Sequence, residues 1–140
     1  LTNGWAYPPQ RKARLVAMQA GAEWIDPLAR DAGMDIAVFY ALPAIRPLLS
    51  RLATAPDWAV VHLEGPFVVF ARRTPAHAAL VAAHAVTRER LEIDSVIARA
   101  RALDPVGGRG LGAAAGALAA LGWDEHARAV LAARAAPRRR

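Results

Sequence analysis

Residues 58–72 read WAVVHLEGPFVVFAR, and this stretch decides the fold. Two apolar runs rich in β-branched and aromatic residues, 58–63 (WAVVHL) and 67–72 (FVVFAR), flank Glu64-Gly65-Pro66. Runs of matched length around a glycine-containing turn are the pattern of a β-hairpin. A third run of the same kind, 35–41 (DIAVFYA), lies upstream and reads as a buried strand. Between them, Pro43 and Pro47 bracket the entry to a helix over about 44–54, with Ile45, Leu48, Leu49 and Leu52 on one side. Pro56-Asp57 ends it. The order strand, helix, strand, strand predicts a parallel pair of first and second strands joined by a right-handed crossover, with the third strand antiparallel. The expected class is α/β: a small three-stranded mixed sheet (β-α-β plus β-hairpin) packed by helices, followed by an all-helical C-terminal segment.

Upstream, residues 1–10 are an irregular lead-in with Asn3-Gly4 and Pro8-Pro9, and 11–20 can form a short helix ending at Gly21. Asp26-Pro27 is a helix start, since Asp accepts orphan N–H bonds and Pro suits the first turn. That helix runs over 28–32 and stops at Gly33. Beyond Thr74-Pro75 the pattern is helical only: 76–88 and 91–103 as two helices or one bent one, a break at Asp104-Pro105 and Gly107-Gly108, then a helical hairpin with its turn at Gly122. The expected organisation is a small α/β domain over 1–75, a helical segment over 76–136 and a basic tail over 137–140. The expected core contains Trp24, Leu28, Ile36, Val38, Leu48, Leu52, Trp58, Val60, Val69 and Leu80.

Composition narrows the function. Apolar residues make up 55% of 140, enough for a real core, although much of it is alanine. The absence of cysteine excludes disulfides and thiolate metal sites. Seventeen arginines against one lysine, with abundant alanine, point to a GC-rich bacterial genome. Residues 1–71 carry six basic and six acidic side chains; residues 72–140 carry twelve and six, so the net +6 lies in the second half. The longest uncharged apolar stretch, 111–123, is shorter than the roughly twenty residues a span requires. The given residues show no signal-peptide pattern, so none is expected within them. A chain opening on Leu1 is expected to be part of something longer.

No active site assembles from the sequence. The string GGRGLGAAAG (107–116) fits a dinucleotide-loop pattern, but such a loop needs a strand before it and here a broken helix precedes. A flexible linker followed by close helix packing is the better reading. On a continuous helix His77 and His84 lie about two turns apart, roughly 10 Å, too far to share a metal ion. His62 sits mid-strand beside Glu64, and His126 stands alone. Asp26, Asp57, Asp104 and Asp124 fall at caps and turns. Ser50 and Ser95 lie within expected helices without a nucleophile motif. No catalytic, cofactor or metal residue is therefore assigned. Arg72-Arg73, at the end of the third strand, and Arg138-Arg139-Arg140 are the candidate contacts for an anion or a membrane surface; solvated arginines are the simpler reading of both. No nucleic-acid motif is present.

Taken together, the Trp24 helix, GMDIAVFYALP (33–43), the short helix and PDWAVVHLEGPFVVFARRTP (56–75) resemble the C-terminal extramembrane region of bacterial polytopic glycosyltransferase-like, or uncharacterised, membrane proteins. The matching positions are Asp35, Trp58, Val60, Val61, Glu64, Gly65, Val68, Val69, Phe70 and Arg72, within about fifty of the 140 residues. The resemblance implies an accessory domain whose parent carries its catalytic acids in a membrane-embedded part, so no catalytic residue transfers. Residues 111–135 also resemble a degenerate tetratricopeptide hairpin, with Leu118, Gly122, Ala127 and Leu131 at the repeat's spacing; Arg134 and Ala115 depart from it. The leading expectation is a non-catalytic accessory domain in the bacterial envelope, outside the bilayer and on its periplasmic side, with a cytoplasmic location as the alternative. Its partner would be the membrane-embedded part of its own chain or another protein, with acidic lipid as a further candidate. The alternatives are a soluble protein-interaction module built on the hairpin, and a small α/β ligand-binding or enzyme domain.

Overall fold

The hairpin forms where its sequence requires it. In the computed structural model, which describes residues 9–25, 29–30, 33–104 and 108–135, the elements are α1 (Pro9–Gln19), β1 (Ile36–Tyr40), α2 (Arg46–Thr54), β2 (Trp58–Glu64), β3 (Phe67–Arg72), α3 (Ala78–His84), α4 (Ile93–Leu103), α5 (Arg109–Ala120) and α6 (Asp124–Ala135). Single 3-10 turns at Pro43–Ile45, Pro75–His77 and Arg88–Arg90 precede α2, α3 and α4. Glu64 pairs with Phe67, so Gly65 and Pro66 alone make the turn. Gly65 has φ +53°, and proline fixes a negative φ after it. That combination suits the two-residue hairpin turns whose twist matches the strands. Of the expected helix over 28–32 only residues 29 and 30 are described, both helical with Ala29 buried, and Leu28 lies outside the described residues.

The α/β architecture with a helical C-terminal segment is as expected, but the pairing differs. The strand order is β1-β3-β2, and both pairings are antiparallel. The sheet is therefore antiparallel, not mixed, and β1 and β2 run the same way without pairing. The tight turn commits one edge of β3 to β2. β1 then takes β3's other edge, where antiparallel bonding is slightly more favourable per residue than a parallel pair.

A bulge at Val61 sets which side chains face inward. Val60 pairs with Phe70 and His62 with Val69, leaving Val61 as an extra residue. Trp58 and Val60 point to the helical side. Without the bulge strict alternation would turn His62 inward and Leu63 outward. With it, Leu63 joins the main core and His62 is exposed, 3.5 Å from the Glu64 carboxylate.

The helical side of the sheet packs on α2, α4 and α5. Trp58, Val68 and Phe70 meet Leu48, Leu49, Leu52, Val96, Leu118 and Val130 in one buried cluster. Among the described residues the other side is covered by Val81 of α3, packed against Ala59, Val61 and Ala71, and by Ala85 just after it. Of the expected core, Leu48, Leu52, Trp58 and Val60 are buried, and Trp24 and Val69 are half-buried. Ile36, Val38 and Leu80 are corrections, being exposed. In β1 the inward positions are Ala37 and Phe39, so Ile36 and Val38 take the opposite face. In α3 it is Val81, one position on from Leu80, that meets the sheet.

The glycine cluster does what close packing requires. The Asp104 carboxylate accepts hydrogen bonds from the N–H groups of Arg109 (2.7 Å) and Gly110 (3.3 Å), capping α5 from outside. A methyl added at Gly110 would collide with the Ala100 carbonyl oxygen of α4, whereas nothing stands within 4 Å of one added at Gly116.

Two stability measurements check this packing. Trp58, 2% exposed, should cost about 3–5 kcal/mol when replaced by alanine; a loss below about 1 kcal/mol would contradict its burial. Gly110→Ala should destabilise by about 1–3 kcal/mol through overpacking, while Gly116→Ala should stabilise by about 0.5–1 kcal/mol through helix propensity. Equal effects in denaturant melts would rule out the close α4–α5 approach.

Candidate functional site

Two surfaces stand out, and the sheet produces both. The first is the outer side of β1. Ile36, Val38, Tyr40 and the neighbouring Phe67 are 39%, 63%, 53% and 49% exposed. Tyr40 and Phe67 lie edge to face, with ring centroids 5.4 Å apart, so one edge of the patch is an organised aromatic pair. No charged side chain occurs within β1. The Arg72 N–H bonds to the Asp35 carbonyl (2.8 Å) and the Ala41 N–H to that of Pro66 (2.7 Å), so odd-numbered residues bond to β3. Antiparallel alternation then turns the N–H and C=O of Ile36 and Val38 toward the other edge of β1. Among the described residues no strand pairs with that edge. The far edge of β2 differs, since the Val86 N–H bonds to the Val60 carbonyl at 2.8 Å.

The second surface is an open cleft of about 480 Å³ between the end of α2, the start of β2, the connection at 85–89 and the α5–α6 turn. Trp58, Val60, Leu121 and Trp123 form apolar walls, and Ser50, Thr54, Arg73, Thr87, Arg88 and Glu89 supply its polar groups. The Ser50 hydroxyl donates to the Pro47 carbonyl (3.3 Å) and that of Thr54 to the Arg51 carbonyl (3.1 Å). Arg88 is paired at 2.7 Å with Glu125. The Glu89 carboxyl is held below the usual carboxylate range, first by its own backbone N–H and then by the Thr87 hydroxyl.

Arg72 and Arg73 part company. Arg72 lies over the Trp58 ring, 5.7 Å from its centroid. Arg73 turns to the cleft, its Nε donating to the Trp58 carbonyl at 3.3 Å. Arg138, Arg139 and Arg140 lie outside the described residues. Asp104 occupies the N-terminus of α5, where a phosphate-loop reading would seat its ligand. His77 lies 3.5 Å from the Thr74 hydroxyl, and His126 packs beside Trp123. Among the described residues no three His, Asp or Glu side chains converge as for a metal ion, and no helix is long and apolar enough to cross a membrane. Of the hairpin positions, Leu118 and Ala127 are buried and Leu131 is 46% exposed.

The patch on β1 escapes a reading of periodicity because IAVFY is apolar on both sides, so alternation cannot say which side is covered. The cleft escapes it because its lining comes from separate parts of the chain. Arg73 alone was visible in advance, as one of a basic pair. No protein-family model, curated protein or solved structure matches the chain.

The Arg88–Glu125 contact at the cleft gives a pH prediction. Hydrogen bonding from Arg88 and its positive charge lower the Glu125 pKa from 4.5. A depressed carboxylate adds stability above its unfolded pKa and loses it as pH falls through the folded value. Glu125→Gln should therefore lower Tm near neutral pH and converge with the parent protein in strong acid; a gap that persists unchanged at low pH would show that the pair contributes nothing through charge.

Proposed function

We propose that this chain is a non-catalytic docking domain that binds its partner through the outer side of β1 and the adjoining Phe67. The observation that carries the reading is the uncharged patch Ile36, Val38, Tyr40 and Phe67 on a strand whose edge has no strand partner among the described residues. Natural sheets usually protect such an edge with charge, proline or a bulge, and IAVFY has none of these. An exposed, contiguous apolar patch on a folded domain marks an interaction surface.

The setting we propose rests on the resemblance of 24–75 to extramembrane regions of bacterial glycosyltransferase-like membrane proteins. The partner is then the membrane-embedded part of the same polypeptide, and the domain sits in the envelope, on the periplasmic side of the bilayer. A role in packing or shaping the substrate path of the parent suits a surface that offers backbone pairing and apolar contact. The second reading, a soluble interaction module, is favoured by the α5–α6 hairpin, whose outer helix leaves Leu131 exposed beside a buried Leu118 and Ala127.

Two measurements test the proposal. The genomic sequence upstream of Leu1 should encode several hydrophobic spans; a stop codon or a soluble domain there would sink the membrane setting. In the full-length protein, a photo-crosslinking residue at position 38 should react with the membrane-embedded part, and Val38→Asp should abolish the crosslink formed from position 40 while changing stability by less than about 0.5 kcal/mol, as surface changes do. Reaction from position 131 but not from 38 would favour the hairpin reading instead.

A further inference from the structure

The cleft and the docking face are different surfaces, and the cleft has its own chemistry. We infer that the cleft beside Trp58 and Trp123 binds a small amphiphilic anion, with a carboxylate or phosphate group held by Arg73 and an apolar body against Ala53, Ala85 and Val86. Its volume of about 480 Å³ falls in the range of about 300–1,000 Å³ typical of small-molecule sites.

Arg73 is the group that selects charge. Its backbone N–H is fixed on the Asp57 carbonyl (2.8 Å) and its Nε on the Trp58 carbonyl (3.3 Å). The guanidinium is thus oriented at the cleft without any carboxylate, and among the described residues its two terminal nitrogens have no partner. A planar fork held in this way matches a carboxylate or phosphate, which accepts two parallel N–H bonds. The other charged groups of the cleft are engaged. Arg88 is taken by Glu125, and Glu89 accepts from its own N–H and from Thr87. The Ser50 and Thr54 hydroxyl hydrogens point to helix carbonyls, which leaves their oxygens as acceptors. The remaining wall is apolar, from Ala53, Val60, Val86 and Leu121. Glu89 keeps its negative charge, since its hydrogen bonds come from neutral donors. Among the described residues Arg73 is the one positive group of the cleft without an acidic partner. The apolar wall beside it suits an anion with an apolar tail better than a fully hydrated inorganic ion.

Titration of the isotope-labelled chain with phenylacetate, phenyl phosphate and the neutral phenylacetamide, followed by NMR, tests the inference. Saturable shifts are expected at Thr54, Thr87, Gly122 and the Trp123 indole with one or both anions, and the stronger of the two identifies the head group. Arg73→Gln should weaken that binding by about tenfold or more. Arg73→Lys, which keeps the charge but loses the fork, should fall between and guards against a misfolded Gln variant. Arg99→Gln removes an equal charge from α4, away from the cleft, and should bind as the parent chain does. Equal affinity for phenylacetamide, an Arg73→Gln variant that binds normally, or no saturation by either anion up to about 10 mM would overturn the assignment.

Discussion

β3 holds both other strands, and the rest of the molecule is arranged around that constraint. Its Val68 and Phe70 are fully buried against the helices, and Phe70 meets Phe39 of β1 edge to face, with centroids 5.9 Å apart. Because side chains alternate along a strand, the choice of Phe70 as an inward residue turns Phe67, Val69 and Ala71 outward. Pairing then passes the same alternation to β1 and, up to its bulge, to β2. The exposure of Ile36 and Val38 is thus a consequence of what β3 buries. Turning them inward would carry the larger Phe39 out of the core.

Among the described residues one helix serves the outer side. Adjacent strands lie about 4.8 Å apart, so the sheet is about 10 Å wide between its outer strand axes, and a helix with side chains is about 10 Å across. A helix centred on the sheet could shield much of its width. α3 instead sits toward β2, with Val81 over Ala59, Val61 and Ala71. The segment that follows it continues along the edge of β2, where Val86 bonds to Val60. That path carries the chain back toward α4 and, among the described residues, leaves the outer side of β1 uncovered. The same segment forms one wall of the cleft. A single route of the chain after α3 therefore accounts for the exposed outer side of β1 and for the open cleft at the opposite edge.

Much of the fold could be read from residues 33–75 because proline and glycine punctuate them and the apolar runs are short and β-branched. The hairpin, the helix face of Ile45, Leu48, Leu49 and Leu52, and the turn at Gly122 all follow from local chemistry. Strand order does not. A strand–helix–strand segment fits a direct parallel pair or one with a third strand inserted, and the distinction depends on which edge of β3 is free after the hairpin closes. Inward and outward positions in IAVFY were equally illegible, since every residue is apolar. The bulge at Val61 was hidden for the same reason: WAVVHL shows an alternation defect only at His62, a residue that tolerates either side. Arg73 could be seen as part of a basic pair, but only the fold separates it from Arg72, which settles over Trp58.

The charge around α6 is taken up in links to other parts of the chain. Asp124 and Glu125 open that helix, where its N–H groups and dipole favour negative charge. Each also draws a cation from another part of the chain: Arg46 of α2 reaches Asp124 at 3.0 Å, and Arg88 reaches Glu125 at 2.7 Å. These pairs are about half exposed, so each contributes little stability by itself. Their effect is to tie α2 and the 85–89 connection to the start of α6, on either side of the turn at Gly122 and Trp123. The links lie beside the cleft, whose lining includes Arg88 and the turn residues Gly122 and Trp123. Among the described residues Arg73 is anchored by carbonyl oxygens, which orient a guanidinium without cancelling its charge.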